Sequence, residues 1–210
     1  NIALAGTGVG KSLFMCHVAS SVISEGKNVL YITLEMAEER IAERIDANLL
    51  DVTIDDLYEM PKEIYDNKTS KMQNKTNGQL IIKEYPTASA HAGHFKSLLD
   101  ELALKKAFKP DLIFIDYLNI CTSSRFKGGN INSYTMVKSI AEELRGLAVQ
   151  YNVPIVSATQ TTRTGYLSSD VGLEDTSESF GLPATADFMF ALISNDELEE
   201  LGQIKVKQLK

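Results

Sequence analysis

The chain has 210 residues, 44% of them hydrophobic and 23% charged, enough to bury a full core within one domain. A net charge of −7 and a pI near 5.1 exclude bulk attraction to nucleic acid or anionic membrane, so any nucleic-acid contact must be local. The two cysteines, Cys16 and Cys121, sit in apolar runs and read as reduced core residues, and no apolar stretch approaches the ~18 residues of a membrane-spanning helix. No signal peptide is expected.

Short apolar runs recur along the chain and predict buried parallel strands at 1–5, 28–35, 80–86, 111–116, 153–159 and 187–193. Helices are predicted between them. Residues 37–50 form one. Phe95, Leu98, Leu99 and Leu102 mark another over 94–107, and Val137, Ile140, Ala141, Leu144, Leu147 and Ala148 mark a third over 134–151. The acidic run 195–201 reads as a solvated helix face, and "QIKVKQLK" at 203–210 reads as a last strand. Three stretches read as irregular: a polar surface turn at 66–79, a loop at 121–133 and a longer loop at 161–183. Strand–helix alternation without repeat or internal boundary predicts one α/β domain over 1–210, with a mainly parallel twisted sheet and helices on both faces. Because the chain begins and ends inside strands, it is expected to be a piece of a longer protein.

The first strand runs into "AGTGVGKS", a phosphate-binding loop pattern with Ala5 at its first position. Gly8 and Gly10 let backbone N–H groups turn inward around an anion, and the helix beginning near Lys11 adds its positive dipole end. Thr7, Val9 and Leu13 complete the cradle; Lys11 can reach the β- and γ-phosphates and the Ser12 hydroxyl can ligate Mg²⁺. Ligands of open parallel sheets bind at the carboxyl ends of the strands, where this sequence puts Glu35, Asp116 and Gln160. Asp116 suits Mg²⁺, Glu35 suits activation of an attacking water, and Gln160 suits sensing of a γ-phosphate. ATP and Mg²⁺ are the expected ligands.

"AGTGVGKS", "YITLEMAEERIAERI", "LIFIDYL", "SATQ" and "SESFGLPATADF", in this order, resemble the ATPase domain of DnaB-like replicative DNA helicases, especially the T-even phage type. The resemblance implies a RecA-like core, a ring hexamer with ATP between subunits, single-stranded DNA in the pore, and a bacterial host cytoplasm if the protein is phage-encoded. It implies that Lys11 and Ser12 hold phosphates and Mg²⁺, that Glu35 is the catalytic base, Asp116 the Walker B carboxylate and Gln160 the coupling residue, and that Arg44 packs on the base. Lys210 matches a lysine that reaches the neighbour's γ-phosphate. The family's arginine finger would fall beyond residue 210, and its primase-contacting N-terminal domain is not in this chain.

Two loops are the expected DNA contacts. Loop 121–133 carries Arg125 and Lys127 and no acid, which favours phosphate. Loop 161–183 carries Arg163 against four acids, but Glu178 and Ser179 match a family segment that grips DNA through main-chain N–H groups; Ser177 stands where bacterial members carry arginine. Alternatives are a filament-forming recombinase, a KaiC-like signalling ATPase, or a ring or clamp that uses nucleotide only as a switch; a water-activating Glu35 argues against the switch. His91 and His94 are spaced as a metal pair but lack further ligands, and Met36 and Tyr31 read as core.

Overall fold

A computed structural model describes residues 1–74, 76–126, 131–161, 171–176 and 181–210. Seven strands form one sheet: β1 Ile2–Ala5, β2 Val29–Thr33, β3 Leu80–Glu84, β4 Leu112–Asp116, β5 Ile155–Gln160, β6 Met189–Ile193 and β7 Lys205–Gln208. Their order is β3-β2-β4-β5-β1-β6-β7. The first six are parallel, and β7 closes the edge antiparallel to β6. The helices are α1 Lys11–Ser24, α2 Glu38–Leu50, α3 Ile54–Glu59, α4 Lys62–Gln73, α5 Ala92–Lys106, α6 Ser133–Tyr151, α7 Gly181–Thr185 and α8 Asp196–Glu200.

Strands β1, β2, β4 and β6 read as near-continuous apolar runs because both faces of the sheet are covered there, whereas the edge strands β3 and β7 are partly exposed. On β2, Leu30 and Ile32 join a core shared with Phe95 and Leu99 of α5 and Ile140 and Leu144 of α6. Val29 and Tyr31, pointing the other way, pack with Met15 and Ala19 of α1 and Ile41 and Ile45 of α2. Cys16 and Cys121 are free and buried, as composition suggests.

The expected turn at 66–79 is corrected: its first half belongs to α4, which continues to Gln73. This helix buries no residue, so it carries no apolar period to read. Glu63 in its first turn and Lys71 in its last complement the helix dipole. The Tyr65 hydroxyl ties it to α2 by donating to Asp46 Oδ2 at 2.7 Å. The short α3, also unanticipated, opens with a capping box between Thr53 and Asp56. Within 161–183, Thr161 bridges Thr176, a 3-10 turn covers Leu173–Asp175 and α7 begins at Gly181, so part of the expected loop is ordered structure.

Candidate functional site

The carboxyl ends of the parallel strands form one rim. Register places Ala5 opposite Gln160 on one side and Leu192 on the other, and Thr33 opposite Asp116. The loop after β1 turns through Gly8 and Gly10, whose φ values of 81° and 104° lie in the left-handed region that glycine enters without strain. Gly10 is also the residue before α1, so the backbone N–H groups at the start of that helix open toward the loop. Thr7 and Gly8 are exposed, Val9 is half-buried against the α1 core, and Leu13 faces outward.

Lys11 is buried and donates from Nζ to the carbonyl of Gly6 at 3.1 Å. Burial lowers its pKa, while the charges of Glu35 and Asp116 pull it back up. The structure thus brings Glu35 and Asp116 into electrostatic range of Lys11. Glu35 is exposed, but its backbone is pinned. The Thr33 hydroxyl both donates to the Met36 carbonyl at 2.8 Å and accepts from the Met36 N–H at 3.1 Å. Leu34 N–H donates to the Asp116 carbonyl at 2.9 Å, and the Thr87 hydroxyl donates to the Leu34 carbonyl at 2.7 Å. A carboxylate on so constrained a turn can face a reacting water without a large ordering cost.

Asp116 is fully buried. Burial raises its pKa, opposed by Ser12, Tyr31, Lys11 and Arg44. Its Oδ2 accepts from the Tyr31 hydroxyl at 3.0 Å. Its Oδ1 is buried and accepts no hydrogen bond from the described residues. A buried carboxylate oxygen left without a donor costs free energy that a cation would recover. The Ser12 hydroxyl also acts on this carboxyl, and the two together fit Mg²⁺. Arg44 of α2 is half-buried, and its charge is felt at Asp116 and at Cys16. Gln160 Nε2 donates to the Tyr117 hydroxyl at 3.3 Å, next to Asp116.

Other predicted residues stand apart from this cluster. Lys210 lies beside Met189, at the amino end of β6, whereas the phosphate-type loop follows the carboxyl end of β1. Its Nζ donates to the carbonyls of Pro183 and Ala186 at 2.8 and 2.7 Å. Arg125 pairs with Glu142 on α6, and its loop is stapled to Glu143, which accepts from Ser123 and from the Ser124 N–H and hydroxyl. Burial works against ionisation of Glu143, but these donors and Arg125 outweigh it and hold the carboxyl below its usual pKa. Lys127, Arg163, Glu178 and Ser179 lie outside the described residues. His91 and His94 are used locally: each accepts a backbone N–H through Nδ1 at the start of α5. Among the described residues no group of three or more His, Cys, Asp or Glu side chains could hold a metal.

Two groups at the site carry no motif in the sequence: Tyr31, which is core by burial and bonds Asp116, and Tyr117, which bonds Gln160. A tyrosine inside a strand buried along its whole length needs a partner for its hydroxyl, and that requirement was the available signal.

A mainly parallel sheet whose inner strand opens into a glycine loop and helix, with Asp116 at the end of β4 and Glu35 just past β2 on the same rim, defines a RecA-like domain with a phosphate-binding loop. The fold matches that of a solved ATPase domain, with a TM-score of 0.79 at 17% identity over all of this chain and 75% of that one. A DnaB-like replicative helicase solved in a study of its interactions with primase matches with a TM-score of 0.74 at 18% identity, over 95% of this chain and 48% of that one.

The family model for the DnaB-like helicase C terminal domain matches residues 1–206, and the chain belongs to that family. It is 50% identical to the DnaB-like replicative helicase of Enterobacteria phage T4, over 100% of this chain and 45% of the relative. It is 28% identical to a probable plasmid replicative DNA helicase of Chlamydia psittaci, over 74% of this chain and 33% of that protein. The chain therefore spans less than half the length of these relatives. No helix among the described residues is long and apolar enough to cross a membrane.

Proposed function

We propose that this chain is the motor domain of a replicative DNA helicase, which hydrolyses ATP to move along single-stranded DNA as a ring hexamer in the cytoplasm of a bacterial cell. The observation that carries the reading is the meeting of Lys11, Ser12, Glu35 and Asp116 at one rim of a DnaB-family domain.

In this reading the N–H groups around Gly8 and Gly10 cradle the triphosphate, and Lys11 exchanges its bond to the Gly6 carbonyl for the β- and γ-phosphate oxygens. Ser12 and Asp116 hold Mg²⁺, which when bound neutralises charge developing on the transferring phosphoryl group. Glu35 takes the proton of the attacking water. Gln160, already bonded to Tyr117 beside Asp116, senses whether the γ-phosphate is present. Arg44 packs on the base.

Lys210 is at the opposite end of the strands from its own phosphate loop, so it serves a neighbouring subunit and gives up its bonds to Pro183 and Ala186 to do so. The arginine finger that completes the neighbour's site comes from the same subunit as this lysine, a contribution of about 10³–10⁵ in rate. Single-stranded DNA is held by the loops after β4 and β5: Arg125 and Lys127 on the first, Arg163, Glu178 and Ser179 on the second. The Arg125–Glu142 pair is solvent-exposed, worth at most about 1 kcal/mol, so exchange of Glu142 for a DNA phosphate is inexpensive. Primase and other replisome proteins are met through regions outside this chain.

Sedimentation of the full-length protein with ATP and single-stranded DNA tests this assembly. A closed hexamer is expected. A persistent monomer, or a length-dependent filament of the recombinase type, would contradict it.

A further inference from the structure

Tyr31 stands at the centre of β2 with no exposed surface. Its ring stacks on Phe114 of the neighbouring strand, with centroids 5.4 Å apart and planes 20° from parallel. Tyr31 is in register with Phe114, and Thr33 with Asp116, so the phenol leans two pairs along the ladder, on the same face, to reach the carboxylate. Its hydroxyl donates to Asp116 Oδ2 at 3.0 Å and accepts from Cys16 Sγ at 4.0 Å. Cys16 lies one turn below Ser12 on α1, so the floor of the phosphate loop also meets this hydroxyl.

The two oxygens of Asp116 are therefore unequal. Oδ2 is committed to Tyr31, while Oδ1 is buried and takes no bond from the described residues. A carboxylate held at one oxygen by a donor whose own ring is wedged by stacking has its rotation restricted. We propose that Tyr31 is a positioning residue for the hydrolytic site: its hydroxyl fixes the Asp116 carboxylate so that Oδ1 faces the Mg²⁺ position. The inference rests on the reading of Asp116 as the metal carboxylate. Phenylalanine at position 31 keeps the stack and the volume and removes only the donor.

The test uses the full-length protein, with Mn²⁺ as the probe and a non-hydrolysable ATP analogue present, and follows free Mn²⁺ by electron paramagnetic resonance. Y31F is expected to weaken Mn²⁺ about tenfold, the scale at which outer-shell partners act. Analogue binding in EDTA and thermal unfolding should stay close to wild type, and Y31F should add no further loss on a D116N background. If D116N weakens Mn²⁺ and Y31F does not, the positioning role falls while the site reading stands. If D116N leaves Mn²⁺ binding unchanged, the site reading falls and this inference with it. A Y31F protein that fails to fold, or that loses analogue affinity in EDTA, would make the hydroxyl structural and overturn the proposal.

Discussion

Glu35→Gln in the full-length protein should bind ATP with near wild-type affinity and lose turnover by about 10³-fold, within the ~10²–10⁴ range of general-base catalysis. The substitution is isosteric and removes only the ability to take a proton. The turn that carries residue 35 is held through the backbone of Leu34 and the side chains of Thr33 and Thr87, none of which depends on the carboxylate. Glu35 is exposed, so no buried partner is left behind. The loss should therefore fall on kcat and not on KM for ATP. Single-turnover hydrolysis with nucleotide binding measured in parallel checks this; unchanged turnover would remove Glu35 from the chemistry.

Lys11→Ala should lower affinity for ATP by about a hundredfold or more. Truncating one member of a buried, hydrogen-bonded charge pair costs about 2–5 kcal/mol, and about 1.4 kcal/mol is tenfold in affinity. The fold should tolerate the change, because burial already works against the Lys11 charge and its hydrogen bond goes to a loop carbonyl. The variant should thus unfold at or above the wild-type temperature without nucleotide while losing the stabilisation that ATP confers on wild type. Retained affinity by titration with a fluorescent ATP analogue would contradict the phosphate-loop reading.

Much of this site is legible in the sequence. Strands covered on both faces are mostly apolar, so Asp116 and Gln160 at the carboxyl ends of β4 and β5, and Glu35 just past β2, stand out as polar, and parallel register brings those ends to one rim. The glycine loop is legible because only glycine enters the backbone region that Gly8 and Gly10 occupy without strain. What is hidden has physical causes. Helix α4 buries nothing, so composition alone makes it look like a turn. Apolar alternation says nothing about strand direction, so the antiparallel β7 had to be seen. The carbonyl bonds of Lys210 and the pairing of Arg125 with Glu142 join residues distant in sequence, through side chains that could as well have faced solvent. Tyr31 is only half legible: it is core by burial, and it is also the donor to Asp116.

The central claim of the proposal is that the Lys11–Glu35–Asp116 rim is an ATPase site coupled to single-stranded DNA. The most direct measurement is steady-state ATP turnover by the full-length protein, with and without single-stranded DNA, beside Glu35→Gln. The account predicts turnover that rises when DNA is added and is abolished by the substitution under both conditions. Turnover indifferent to DNA, or surviving in Glu35→Gln, would contradict it.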